Sequence, residues 1–217
     1  MTNICRFVMT STMNLYDRVV IAYDKNLENF QMAIAIRGML EFYGLNVSLV
    51  WLNEKQNAID FLAGQVPKAD YTILCAHGIG HENRIWLTVI EKMAGTDYCY
   101  EEVEFTLTPD NIAEYVKNSG GTFMTTACES GSEVFAKAFL NAGYQAFIAP
   151  EVAVDIISSV MFICGFFCNM LAHERDIHKA TYTEREAVER AAAIQPFPDG
   201  TAAFRYFSRD QNGCRAV

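Results

Sequence analysis

Two short segments of this chain carry residue types that can do covalent chemistry. Ala76-His77-Gly78-Ile79-Gly80 presents an imidazole followed by glycines, and Thr126-Ala127-Cys128-Glu129-Ser130-Gly131-Ser132 presents a thiol. Histidine titrates near neutrality, and the thiolate of cysteine is a strong nucleophile. Side by side they form a base and a nucleophile, the pairing that acyl transfer needs. His77 comes first, and Cys128 follows 51 residues later. Gly78 and Gly80 let the loop after the histidine run close to a substrate, because no side chain stands in the way. The amides of Gly78 and Cys128 are the expected oxyanion hole. Gly131 turns the chain sharply into a helix expected over Ser132–Ala142, whose N-terminal dipole favours a thiolate at Cys128.

The chemistry requires elements that bring the two segments together. Each follows an apolar run that reads as a buried strand, Tyr71–Ala76 before the histidine and Thr122–Thr126 before the cysteine. Parallel strands end on one rim, and that rim is where α/β folds bind ligands. Upstream, Arg18–Tyr23 is a β-branched strand, Leu27–Tyr43 a helix stopped by Gly44, Asn46–Leu52 a second strand and Glu54–Ala63 a second helix. This alternation implies a parallel sheet with right-handed crossovers. Between the motifs, Trp86–Met93 and Tyr98–Leu107 predict a hairpin turning at Ala94-Gly95-Thr96-Asp97. Thr108 and Pro109 then start a helix running to Lys117. Beyond Ser132–Ala142 the pattern predicts a strand at Ala146–Ala149, helices over Asp155–Ala172 and Tyr182–Ile194, and a late strand at Ala202–Phe207. Thr183 and Glu186 form a capping box, and Pro196 and Pro198 end the last helix. Residues 1–17 are expected as a lead-in to a single α/β domain over 18–217.

Composition narrows the function classes. Hydrophobic residues make up 51% of the 217 and charged residues 20%, as expected of a globular chain. A formal charge of −9 argues against nucleic-acid partners, which need a basic footprint. Seven cysteines, an odd number with no CxxC pair, read as free thiols in a reducing compartment. No continuous apolar signal core precedes Asp17, so a cytoplasmic location is expected. Ile156–Ala172 is mostly apolar, yet Ser158, Ser159 and Asn169 interrupt it and it is short for a span. A helix buried against a sheet, with no membrane partner, is expected. No metal or cofactor is expected either. His77 and His81 are separated by glycines, Cys164 and Cys168 share an apolar helix, and His173 and His178 lack ligand partners at a set spacing. There is no dinucleotide fingerprint, Walker loop or Gly-x-Ser-x-Gly elbow.

Ala-His-Gly followed at this distance by Ala-Cys resembles the caspase-like (clan CD) cysteine peptidases. Ala127–Ser132 is similar to the Ala-Cys-Glu-Ser-Gly-Ser stretch of the legumains. From about Ala146 onward, a short strand and two helices resemble the CHAT-type branch. The resemblance takes in Arg18–Ile194 as architecture and two motifs as sequence. It implies a caspase-like three-layer α/β sandwich with a mostly parallel central sheet, a His77–Cys128 dyad and a peptide or protein substrate. Caspases carry Gln before Ala-Cys to recognise aspartate; Thr126 stands there, so aspartate specificity is not implied. In legumains the Glu after the cysteine lines the specificity pocket, which implies that role for Glu129. Legumains also carry an Arg-His pair after the first strand, and Glu28-Asn29-Phe30-Gln31-Met32 lacks it. An acidic pocket without that arginine implies substrates with Lys or Arg before the cut. Asp24, in the loop after the first strand, is a second candidate for the pocket. The ordinary alternatives are a favourable charge at a helix N-terminus for Glu129 and a turn residue for Asp24.

The leading expectation is therefore a cysteine endopeptidase that forms an acyl-enzyme through Cys128. The alternatives are a caspase-like interaction module that does not cleave, another thiol α/β hydrolase and a flavodoxin-like binding module. Glutamine amidotransferases, the obvious thiol hydrolases, place the cysteine first within Gly-x-Cys-x-Gly, the reverse of the order here.

Overall fold

Arg18–Tyr23, strand β1, shows how the molecule is built. Its side chains alternate between two cores: Val19 and Ile21 enter one, Val20 and Ala22 the other. A strand buried on both faces has no polar face to display, which is why it reads as an unbroken apolar run. The computed structural model describes residues 18–65, 68–95, 99–117, 120–171, 182–194 and 204–209. The lead-in 1–17, His173, His178, Pro196 and Pro198 lie outside the described residues.

In chain order, β1 is followed by α1 (Leu27–Phe42), β2 (Asn46–Trp51), α2 (Lys55–Leu62) and β3 (Tyr71–Cys75). Next come β4 (His77–Ile79), β5 (Arg84–Lys92), β6 (Tyr100–Leu107), α3 (Pro109–Tyr115) and β7 (Thr122–Thr125). The chain continues through α4 (Glu133–Asn141), β8 (Ala146–Pro150), α5 (Ile156–Leu171), α6 (Glu184–Ala193) and β9 (Phe204–Ser208). The central sheet runs β2-β1-β3-β7-β8-β9, parallel except for β9 at one edge. Helices α1, α5 and α6 cover one face, and α2, α3 and α4 the other. This is the three-layer α/β sandwich expected from the sequence.

Local signals set the helix boundaries. Asn26 caps α1 by accepting from the Glu28 amide at 2.8 Å. Thr108 and Asn111 form a capping box at α3, as do Thr183 and Glu186 at α6. Helix α5 turns Phe162, Ile163, Phe166, Phe167 and Met170 into the core shared with α1 and α6. Its Phe162 ring stacks on Phe204 of β9, with centroids 3.8 Å apart. Among the described residues, no helix is long and apolar enough to cross a membrane.

The expected hairpin is present as β5 and β6, antiparallel from Ile85 opposite Leu107 to Lys92 opposite Tyr100. One expectation is corrected. The residues after His77 form not a loop but the short strand β4, which adds to the hairpin with His77 opposite Trp86 and Gly78 opposite Ile85. Glycine carries no β propensity of its own, so pairing with a distant strand decides this segment.

Candidate active site

Strands β3 and β7 are neighbours, with Tyr71 opposite Thr122 and Leu74 opposite Thr125. Every such pair is 51 residues apart, the same separation as His77 and Cys128. The spacing in the sequence is thus the register of two adjacent parallel strands, carried just past their ends. Two threonines knit those ends together. Thr125 donates its hydroxyl to the Leu74 carbonyl at 3.0 Å, and the Thr126 amide donates to the same carbonyl at 3.1 Å. The Thr126 hydroxyl in turn accepts from the Ala76 amide at 3.2 Å. Both threonines are buried, so these bonds form where water does not compete.

Beyond the threonines, the two segments touch through main chain. A Cβ on Gly78 would lie 2.9 Å from the Cys128 nitrogen and 2.9 Å from the Ala127 carbonyl carbon. Only glycine allows β4 to lie this close to the cysteine turn. On the far side, the Gly131 amide donates to the Pro150 carbonyl at 2.7 Å, and a Cβ there would sit 2.6 Å from the Ala149 oxygen. The cysteine turn is therefore clamped between β4 and the end of β8. Glu129 adopts a left-handed conformation, with φ of 57°. Its carboxylate accepts from the Gly80 amide at 2.8 Å, a third link between the histidine and cysteine segments. The Ser130 hydroxyl donates to the Ala127 carbonyl at 2.6 Å and closes the turn internally.

His77 stacks on Trp86, with ring centroids 5.3 Å apart and 26° between the planes. The Arg84 guanidinium lies over the Trp86 ring at 5.1 Å and pairs with Glu82 and Glu104. Sequence reasoning missed Trp86 as a support for the histidine; the signal is the antiparallel register, which puts it directly across from His77. Cys128 is half-buried. Its sulfur accepts from the Val154 amide at 3.3 Å and donates to the Val154 carbonyl at 3.4 Å. Val154 was likewise not singled out, because it lies 26 residues away on the segment leaving β8.

Asp24 is completely buried. One carboxylate oxygen accepts from the Asn26 amide at 3.0 Å and the Asn29 side chain at 2.9 Å, and the other accepts from the Thr88 amide at 2.6 Å. These three donors occupy the carboxylate and tie β1, α1 and β5 together. Asp24 also forms part of the wall of a cavity of about 290 Å³ at the ends of β1 and β2. The other described cysteines differ from Cys128. Burial pushes the Cys75 thiol well up, and the nearby Asp24 charge adds to the effect. Burial, helped by Cys168, raises Cys164 to about 11. Cys99 and Cys168 are exposed. Among the described residues, no three His, Cys, Asp or Glu side chains group as metal ligands.

No protein-family model matches this chain, and no curated protein matches it. Its likeness to solved structures is clearer. The crystal structure of the Arg-specific cysteine proteinase gingipain R superposes with a TM-score of 0.54 at 14% sequence identity. The match covers 88% of this chain and 46% of that one, so the chain spans about half the length of this neighbour. A flavone reductase overlaps with a TM-score of 0.35 at 14% identity, over 76% of this chain and 66% of the other.

The fold is caspase-like.

On this caspase-like sheet, an imidazole and a thiol stand at adjacent strand ends on the C-terminal rim. The cysteine turn is also rich in main-chain donors. Those of Ala127, Glu129, Ser130 and Gly131 all have acceptors, at Thr125, Val152, Ala127 and Pro150. Among the described residues the Cys128 amide has none, and it lies against Gly78 at the mouth of the site. An arrangement of this kind can attack a carbonyl with sulfur and hold the oxygen that becomes negative.

Proposed function

We propose that this protein is a caspase-like cysteine peptidase that hydrolyses peptide bonds through Cys128 and His77. One observation carries the reading: the 51-residue separation equals the β3–β7 register, so imidazole and thiol belong to adjacent strand ends. His77 takes the thiol proton, and the Cys128 sulfur bonds to the carbonyl carbon of the substrate. The carbonyl oxygen becomes an oxyanion facing the Cys128 and Gly78 amides. The carbon–nitrogen bond then breaks, and the amine leaves with the proton held by His77. Water hydrolyses the thioester and regenerates the thiol, with His77 again moving the proton. The Glu129 carboxylate, held against Gly80, supports a preference for Lys or Arg before the cut. The similar gingipain R is itself Arg-specific. Within the caspase-like peptidases, the cysteine turn is most like that of legumains and the C-terminal organisation like that of CHAT-type domains. Free cysteines suit a reducing, cytoplasmic setting.

The decisive experiment is peptide-library cleavage by the wild type beside Cys128→Ala and His77→Ala. Cleavage lost in both variants supports the dyad; cleavage retained in either one rejects it. A second reading is a caspase-like interaction module that does not cleave. The engagement of the sulfur by Val154 favours it, because those contacts occupy the nucleophile. A thiol-reactive peptide probe that labels Cys128 selectively would exclude this second reading.

A further inference from the structure

A cavity of about 290 Å³ opens beside the ends of β1 and β2, lined by Tyr23, Asp24, Lys25, Leu27, Phe30 and Trp51. Three of its apolar walls are held partly in water: Leu27 is 65% exposed, Trp51 54% and Phe30 41%. Tyr23 and Phe30 pack tilted, with centroids 5.5 Å apart, which gives the cavity one aromatic wall. Exposed apolar surface gathered around a concavity marks a place where a partner group is received.

The two charged residues in the wall have partners already. The Asp24 carboxylate is filled by three donors. The Lys25 ammonium is paired with Glu102 on β6. Both charges already have partners and the rest of the wall is apolar or aromatic, so the occupant that best matches the cavity is uncharged and apolar. A volume just under the lower bound of small-molecule sites suits a single large side chain.

Its position says where that side chain comes from. β1 lies next to β3, and β3 next to β7. With strands about 4.8 Å apart, the end of β1 is about 10 Å from the end of β7, and the end of β2 about 14 Å. An extended peptide advances about 3.3 Å per residue, so the cavity lies three to four residues from a bond held at Cys128. It opens on the same C-terminal rim of the sheet as the dyad.

We propose that this cavity is a second specificity subsite, which takes a large apolar side chain, aromatic or leucine-like, three to four residues from the scissile bond. This rests on the peptidase reading above, and it adds a requirement that Glu129 does not supply. The substrate is then a peptide with a basic residue at the cut and an apolar residue a short distance from it.

The test separates binding from cleavage. Blocked peptides share a central Lys and carry Phe, Leu, Ser or Lys in turn at each of four positions on either side. Binding is measured to Cys128→Ala by titration calorimetry, and cleavage is measured with the wild type. At one position Phe or Leu is expected to tighten binding at least tenfold over Ser, while Lys gives no gain. Adding Trp51→Ala or Phe30→Ala to Cys128→Ala should reduce that preference to less than threefold. Both residues are partly exposed, so the variants should fold, and circular dichroism checks this. The proposal is overturned if no position prefers an apolar residue, if the preference survives both substitutions, or if Lys is preferred at the position they affect. If the wild type cleaves none of the peptides while the Trp51-dependent preference persists, the peptidase reading and the subsite role fail together, and the cavity is left as a binding site for an apolar peptide side chain.

Discussion

At the scale of single residues, the candidate site depends on main-chain approach. His77 and Cys128 supply the reactive groups, but Gly78 sets the distance between the segments that carry them. In Gly78→Ala the new methyl must displace the cysteine turn. We expect kcat/KM to fall at least a hundredfold, with a stability loss of about 1–3 kcal/mol from overpacking. Peptide hydrolysis and thermal melts check this, and wild-type kinetics would show that the turn tolerates the displacement. Glu129 is a separate case, since its carboxylate both links Gly80 and places a charge at the rim. Glu129→Gln retains an oxygen acceptor for the Gly80 amide and removes the charge. If the charge binds substrate cations, kcat/KM for Lys and Arg peptides should fall at least tenfold while neutral peptides change little. This follows from the roughly 1.5–3 kcal/mol of a charge-assisted contact. An unchanged basic preference in the variant would leave Glu129 as a structural link alone.

At the scale of elements, α6 is held to the sheet by a half-buried acid. Glu184 accepts from the Thr122 hydroxyl on β7 at 2.7 Å and from the Tyr206 hydroxyl on β9 at 3.2 Å. Burial pushes its carboxyl above the ordinary value of 4.5, and the hydroxyl donors only partly oppose this. The folded chain therefore keeps this proton after the unfolded chain has lost it. The group's contribution is complete below the unfolded value and is lost as pH rises through the raised one. Urea unfolding across a pH series should show stability declining above about pH 4.5 from this group, and Glu184→Gln should flatten that decline. A curve unchanged in the variant would assign the slope to other groups. On the opposite face, α4 is anchored by aromatic stacking. Phe139 lies 4.3 Å from Phe123 and 4.9 Å from Phe147, centroid to centroid. Phe139→Ala should cost about 3–5 kcal/mol in denaturant unfolding, because a cavity opens between α4 and two strands.

At the scale of the whole molecule, one sheet serves two cores, and each central strand feeds both. On β3, Tyr71, Ile73 and Cys75 face the α1 side, while Leu74 faces the α2 side. The β5 side chains Ile85, Leu87 and Val89 belong to that second core, so the hairpin that positions His77 is packed into it. Neither face can be lost without exposing the other. The described region should therefore unfold in one transition, with far-UV circular dichroism and Trp86 fluorescence (read in Trp51→Phe) sharing a midpoint. An earlier fluorescence midpoint would show that the hairpin and the candidate site melt separately from the sheet.

Much of this was legible in the sequence because it is local. The double-sided apolar runs of β1 and β3, the caps at Thr108 and Thr183, and glycines beside a histidine and a cysteine are written within a few residues. Strand periodicity and capping chemistry act over such distances, so α/β layering and a thiol–imidazole pair at strand ends followed from them. What the tertiary structure decided lies across long separations. That β3 neighbours β7, that His77–Ile79 pairs with Arg84–Trp86 as a strand, that Asp24 is filled by Thr88 and that Val154 reaches the Cys128 sulfur are outcomes of packing. Each joins backbone groups or side chains whose partner is chosen by which surfaces bury together, and no local pattern in the chain records that choice.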